Sequence, residues 1–452
     1  MPLNSLKHST ILSLLNQMIE KNNKKTIRSW AFFDWANSAY NLVITSTIFP
    51  VYYVAITTTK AHGDEVTFFG KTFINTVLSN YALAFAYLIM VVLLPILSSY
   101  ADAKGKKKFF MKLFTYVGSF ACMALFFFKL ETLEAGIICF VLAAMGYVGG
   151  VMFNNAYLPI IASTDNQDKV SAQGFSYGYV GSVILQLICF VFVLKPAIFG
   201  ITDPSLPAQI SFLLVGIWWF LFAQIPFKAL PKDVPNAASE GQSIIKSSFG
   251  EFAKVWNQLK QMKFLKTYLI AFFFYSMGVQ TIMLAAAGFG AKVLKLESGS
   301  LIAVILIIQL VAILGAWLMS LLAKKLGNIN VLIIVVLVWI ACCIYGYSIT
   351  NAYQFYALAA VVGLIMGGIQ SLSRSTYSKH IPENTNDTAS FFSFYDATEK
   401  LAIVIGLFSF AFIEGLTHNM RQSIIALASF FIVGLVFLVV LKKTERKETR
   451  KL

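Results

Sequence analysis

"SWAFFDWANSAYNLVITSTIFPVYY", Ser29–Tyr53, is long and apolar enough to cross a bilayer, yet it carries Asp34, Asn37 and Asn41. A membrane helix needs about 20 predominantly apolar residues, and lipid offers none of these three side chains a hydrogen-bond partner. Asp34, Asn37, Ser38, Asn41 and Thr45 are spaced i, i+3, i+4, i+7 and i+11, which puts them on one helical face. An ionised Asp at mid-helix costs about 2.5–3.5 kcal/mol on insertion scales. The cost is smaller here, because Arg28 lies only a turn or two away. The face must turn toward protein or water, either as one wall of a polar cavity or as a hydrogen-bonded helix–helix seam.

The rest of the chain repeats the pattern. Hydrophobic residues make up 58% of the 452 and charged residues 13%, against about 45–50% and 25% in soluble domains. Twelve apolar runs follow one another, at about 30–56, 76–99, 109–129, 135–161, 172–194, 208–227, 264–289, 299–323, 329–349, 352–376, 389–413 and 422–441. None alternates with period two, so a β-barrel is excluded. The fold class is all-α integral membrane, with twelve transmembrane helices, numbered here as spans 1–12. Most of the 36 Lys and Arg fall on one side of those spans, a bias that sets both termini in the cytoplasm. The net charge of +15 is thus a topology signal and implies no nucleic-acid partner. The bilayer itself is the expected surroundings, the plasma (inner) membrane of a bacterium the expected location, and a monomer the expected state. Residues 1–28 show no cleavable signal; Leu3, Leu6, Leu14, Leu15, Met18 and Ile19 suit an interfacial helix or a frayed tail. Cys122, Cys139, Cys189, Cys342 and Cys343 all fall in spans without metal-type spacing, which reads as structural burial.

The spans divide into two halves. The expected organisation is a cytoplasmic segment 1–28, a six-helix bundle 29–230, a linker 231–263, a second six-helix bundle 264–442 and a basic tail 443–452. The linker opens Pro/Ser/Gly-rich and ends as an amphipathic helix with Ile245, Phe249, Phe252, Trp256 and Leu259 on its apolar seam and Lys246, Lys254 and Lys260 elsewhere. It reads as a helix on the cytoplasmic surface or as a passive tether. "GFSYGYVG" (174–181) echoes "FFSFYDAT" (391–398), and "GGVMFNNAYLP" (149–159) sits against "GGIQSLSRSTY" (367–377), both offset by about 220 residues. Two pseudo-symmetric six-helix bundles follow.

Between spans 2 and 3, "SSYADAKGKKKFF" resembles the signature G-x-x-x-D-[RK]-x-G-[RK]-[RK] of the major facilitator superfamily, with Ser98 for the first glycine and Ala103 for the first basic residue. Asp102, Gly105, Lys106 and Lys107 form this expected gating loop. Gly105 suits a sharp turn, and Asp102 can cap span 3 or bridge to cations on span 11, breaking as the halves move. In the second half Lys324 stands at the aspartate position, so a gate there needs other chemistry.

Further polar residues sit inside the spans: Asn154, Asn155 and Tyr157 in span 4, Gln173, Tyr177 and Gln186 in span 5, Tyr275, Gln280 and Thr281 in span 7, and Gln370, Ser371, Ser373 and Arg374 in span 10. Span 11 holds "FFSFYDATEKLAIVIG", in which Asp396 and Lys400 are i, i+4 and expected to pair, with Glu399 pointing elsewhere. Lys400 then lies about 15 Å deep, near the midplane. It reads as a cation for a substrate carboxylate, as partner of a proton-coupled Asp396 or Glu399, or as half of a structural bridge. Enzyme chemistry finds no support: His8, His62, His380 and His418 lie in loops or the tail, and no metal cluster, phosphate loop, cofactor motif or nucleophile elbow is present.

"WAFFDWANSAYN", "FNNAYLP", "SAQGFSYGYVG", "FYSMGVQTI", "GGIQSLSRS" and "FFSFYDATEKLA", in that order from Trp30 to about Gly415, resemble one branch of the superfamily. It is the family of the fungal autophagy-linked vacuolar amino-acid effluxer and its bacterial relatives. The resemblance implies a secondary transporter working by alternating access, with amino acids or related small metabolites as the exported solute; the carboxylates of span 11 make protons a candidate coupling ion. It also marks Asp34, Asn37, Tyr40, Asn41, Asn155, Tyr157, Gln280, Arg374 and Lys400 as positions that matter. Where the family usually has Gly-Lys in span 11, this chain has Glu399–Lys400. The expected cavity is lined by spans 1, 4, 5, 7, 10 and 11, with Asp34 and Arg374 as an inner gate and Lys400 as anchor for an anionic group. The other readings are a non-transporting receptor or scaffold and, within the class, a sugar, peptide or drug transporter.

Overall fold

The computed structural model describes residues 21–60, 62–233, 244–383 and 385–449. Twelve helical spans run through them: Lys24–Thr57, Asn75–Lys104, Lys107–Phe127, Leu130–Ile161, Thr164–Leu194 and Leu206–Ala229 in the first half, and Lys263–Lys292, Gly299–Leu326, Asn328–Ser348, Ala352–Lys379, Thr388–Thr417 and Met420–Glu445 in the second. The expected interfacial helix of residues 1–20 lies outside the described residues. Span 1 begins earlier than position 29, because Asn23 caps it: its side-chain oxygen accepts from the Lys25 and Thr26 amides at 3.0 and 3.2 Å. The last helix continues to Thr449, past the expected end at 442.

Within each half the spans pack on one another, and the halves meet where span 2 lies against span 11 and span 5 against spans 8 and 10. The second contact depends on Gly174 of span 5. A methyl at Gly174 would stand 2.4 Å from Asp34 Oδ2 and 2.7 Å from an Arg374 nitrogen, so only the bare backbone lets spans 1 and 10 converge there. The start of span 1, the end of span 12 and the basic loops share one face, termed the basic face. On the opposite face a two-stranded hairpin, β1 (Glu65–Phe68) and β2 (Lys71–Ile74), joins spans 1 and 2.

Span 1 is not a uniform α-helix. Tyr40–Ile48 forms a π-helix between α-helical Lys24–Ala39 and Phe49–Thr57. Pro50 has no N–H to return to the preceding turn, and hydroxyls occupy carbonyls the wider turn leaves open. Ser46 Oγ donates to the Asn41 carbonyl (2.9 Å) and Thr47 Oγ1 to that of Leu42 (2.8 Å). The single polar face expected from Asp34 to Thr45 is therefore broken after Tyr40. Asp34 and Asn37 are buried and Asn41 is exposed, while Thr45 is turned into the protein. Proline also ends the helix of span 4 at Asn155, since Pro159 lacks the N–H that would bond the Asn155 carbonyl; a short helix resumes at Leu158–Ile161.

The linker contains the helix Ile244–Gln261, packed on spans 2 and 11. Val255 and Leu259 are buried, the rings of Phe252 and Trp256 lie 5.6 and 5.4 Å from that of Phe394, and Lys254 pairs with Asp387 at 2.8 Å. Of the expected seam, Ile245 and Phe249, like Lys246 on the other side, have side chains outside the described set. The helix touches both halves, which a passive tether would not do.

Candidate functional site

Arg374, near the basic end of span 10, is 2% exposed and reaches three spans of the other half. Nη1 donates to Asp34 Oδ2 of span 1 at 3.0 Å and to Asn155 Oδ1 of span 4 at 3.1 Å. Nε and Nη2 donate to the hydroxyl and carbonyl of Ser171 in span 5, at 3.0 and 2.8 Å. The guanidinium lies over the rings of Trp30 and Phe175, at 4.7 and 4.2 Å, and Trp30 is itself fixed by donating to the Asn154 carbonyl at 2.8 Å. A planar cation with fixed donors suits such multidentate capture. Deeper in the membrane Tyr179 donates to Gln370 at 2.6 Å.

Two latches flank this clamp at the basic face. Gly105 takes the left-handed conformation (φ 60°) that ends the span 2 helix, and Asp102, wholly buried, receives the backbone amides of Ala389 (3.3 Å) and Ser390 (2.7 Å) and the Ser390 hydroxyl (2.7 Å). Asp102 thus caps span 11 rather than span 3, and it meets no cation from span 11. Its cation is Lys107 of its own loop, at 2.9 Å, which also donates to the Asn386 carbonyl (2.9 Å) and to Thr388 (3.3 Å). Lys106 stays over Tyr100 of its own half. The second latch has the opposite sense. Asp168, in the first turn of span 5, accepts from Asn328 at 2.7 Å and pairs with Lys379. The sequence reading missed Asp168, Asn328, Lys379, Ser171 and Tyr179. The available signal was "NQDKVSAQ" opening span 5 with an acid much as "TNDTAS" opens span 11.

Around mid-depth, Lys400 Nζ donates to Glu399 Oε2 at 2.5 Å, and Gln280 of span 7 donates to the other Glu399 oxygen at 3.1 Å. The Lys400 ammonium stands 5.8 Å from the ring centre of Tyr87 in span 2, so this centre too faces the other half. The expected Asp396–Lys400 pair is not formed. Gln280 draws the Glu399 carboxylate to where the long lysine side chain reaches it, and Asp396 is left 1% exposed without an ion pair.

The remaining expected residues divide. Asn37 and Asn154 are buried, and neither the Asn37 oxygen nor either polar atom of the Asn154 side chain has a partner among the described residues. Tyr177 packs edge-on to Phe32 and Trp35 inside the first half. Thr281 abuts Gly406 of span 11 as a packing contact. Tyr157 is away from the centre: its hydroxyl donates to Asp233 at the start of the linker, at 2.7 Å. No His/Cys/Asp/Glu cluster able to hold a metal occurs among the described residues. An apolar hollow within the second half, lined by Phe289, Trp339, Phe355 and Phe410, presents no charge to a polar solute.

Among the described residues, the hydrogen bonds and ion pairs between the halves run from the basic face to Tyr179–Gln370, and none joins them at the opposite face. Comparison with known proteins identifies the architecture. The family model for vacuole effluxer Atg22-like proteins matches residues 22–451. The chain belongs to that family. It is 29% identical over 415 residues to the uncharacterised MFS-type transporter YxiO of Bacillus subtilis, covering 92% of this chain and 94% of the relative. It is 25% identical over 464 residues to autophagy-related protein 22 of Kluyveromyces lactis, covering 91% and 92%. Among solved structures, the Escherichia coli fucose:proton symporter FucP superposes with a TM-score of 0.65 at 13% identity, over 92% of this chain and 98% of that one. The human organic anion transporter MFSD10 gives 0.67 at 10% identity, over 91% and 98%. The fold of this Atg22-like protein is that of the major facilitator superfamily, and the protein is a transporter, not an enzyme.

Proposed function

We propose that this Atg22-like transporter exports a small zwitterionic solute, an amino acid or a related metabolite, by rocking its halves about Glu399 and Lys400, with protons as the coupling ion. The observation that carries the reading is the one-sided seal with a carboxylate and an ammonium held 2.5 Å apart behind it. A solute bearing both charges can part that pair without leaving either buried charge uncompensated: its carboxylate takes Lys400 and its ammonium takes Glu399, with Gln280 holding the second Glu399 oxygen. A solute with one charge would strand the other partner. The direction is supported by the effluxer description of the family. By the positive-inside rule the basic face is cytoplasmic, and the reading takes the protein as a monomer in a bacterial plasma membrane.

Proteoliposomes containing the full chain test the reading. A mixture of radiolabelled L-amino acids should cross, faster under an imposed pH gradient, and unlabelled amino acids should compete while their N-acetyl and amide derivatives do not. Equal competition by the N-acetyl derivatives removes the zwitterion. Flux of a labelled sugar or dipeptide in place of any amino acid replaces the solute class. Lys400→Ala should abolish amino-acid flux, and unchanged flux in that variant ends its role as anchor.

A further inference from the structure

Five charged side chains meet at the depth between the Arg374 clamp and mid-membrane, and four of them pair: Asp34 with Arg374, Glu399 with Lys400. Asp396 is the fifth. It is 1% exposed, and its Oδ2 has no hydrogen-bond partner among the described residues. The groups that face it are Lys400, Glu399 and Tyr395 on its own helix, Arg374 and Tyr377 on span 10, and Asn155 on span 4. Both cations in that set are engaged by other carboxylates. The Asn155 oxygen accepts from Arg374, which leaves its amide turned to Asp396. An ionised carboxylate in this setting would be a buried charge without a cation, whereas the neutral acid is tolerated.

We propose that Asp396 is the proton-carrying site of the transport cycle, protonated while the basic face is sealed and ionised when the halves part there. The inference rests on the proton-coupled reading above and names the residue. When the clamp opens, Asn155 loses Arg374 and water from the basic face reaches the carboxyl. The proton leaves Asp396 for that water, and Lys400, one turn along the same helix, swings from Glu399 to take the new charge. The empty carrier can reseal only with the proton back, because the closed interface has no second cation for Asp396. A bound solute brings its ammonium instead, so the loaded carrier seals ionised. Asp396 then takes its proton from the opposite side, one proton entering as one solute leaves. Glu399 is held by Gln280 and Lys400 in the sealed state.

Infrared difference spectroscopy on the detergent-purified full chain reads the proton directly and needs no solute. Wild type at neutral pH should show a protonated-carboxyl stretch that shifts in heavy water, missing in Asp396→Asn and weakened in Glu399→Gln, where the freed Lys400 can pair with Asp396. Asp396→Glu, which keeps a titratable group, should move the band rather than erase it, and serves if the Asn variant fails to fold. A band lost in Glu399→Gln but kept in Asp396→Asn overturns the assignment, as does absence of the band from wild type. In proteoliposomes with the labelled amino-acid mixture, Asp396→Asn should keep exchange at equal pH and lose accumulation driven by a pH gradient. If wild type and Asp396→Asn respond equally to the gradient, the assignment fails and the coupling survives. If wild type ignores the gradient, both fail.

Discussion

All three guanidinium nitrogens of Arg374 are committed to the other half of the molecule. Removing one member of a buried ion pair costs about 3–5 kcal/mol, because the survivor is left uncompensated. Asp34→Asn or Arg374→Gln alone should therefore lower the unfolding temperature and the flux strongly, while the double variant should lose much less than the two losses combined. A thermal-unfolding and flux cycle checks this, and strictly additive losses would count against the pair acting as a unit. Gly174→Ala tests the same contact by crowding. Its methyl would enter the space of both partners, an overpacking that costs about 1–3 kcal/mol, measurable as lost thermal stability with both charges still present.

Among the elements, the linker helix shows which forces hold it. Lys254 is 44% exposed in its pair with Asp387, so that bridge contributes about 0–1 kcal/mol. The stack of Phe252 and Trp256 on the buried Phe394 is worth more, since a Phe→Ala truncation in a packed site costs about 3–5 kcal/mol. Phe394→Ala should therefore destabilise the protein well beyond Lys254→Gln in thermal unfolding; comparable losses would put the weight on the ion pair instead. Span-level order was legible in the sequence because hydropathy and loop charge report directly on the bilayer. Asp34 and Arg374 could be brought together from their shared depth near the basic ends of spans 1 and 10. Span 11 was harder to read. The i, i+4 rule named Asp396 as the partner of Lys400, but the choice is made by Gln280, more than a hundred residues away. The π-helix of span 1 escaped for a related reason. Pro50, Ser46 and Thr47 are each ordinary in a span, and only their joint action on neighbouring carbonyls widens the turn. The Asp168 latch was hidden because the residue at the duplicated position is not the one the first-half motif prescribes.

At the scale of the whole molecule, the halves are fastened at one face and unfastened by polar contacts at the other. Thr164 and Glu383 face each other across the fastened side, both exposed and with their side-chain oxygens 3.4 Å apart. Cysteines at these two positions, bridged by a short bifunctional methanethiosulfonate reagent that replaces the reach of the glutamate side chain, should stop flux, with reductant restoring it. The five native cysteines sit within the spans, buried or half-buried, and should not compete. Continued flux in the cross-linked protein would mean that the basic face need not open. The two latches carry one more consequence. On the first-half loop the acid Asp102 reaches across, whereas on the second-half side the acid Asp168 waits on the helix and the loop brings an amide, Asn328. A chimera built from two copies of the first half would therefore bring Asp102 toward the span 5 end that Asp168 occupies, acid facing acid. The duplicated halves have become lock and key, no longer interchangeable parts, and closure now requires one of each.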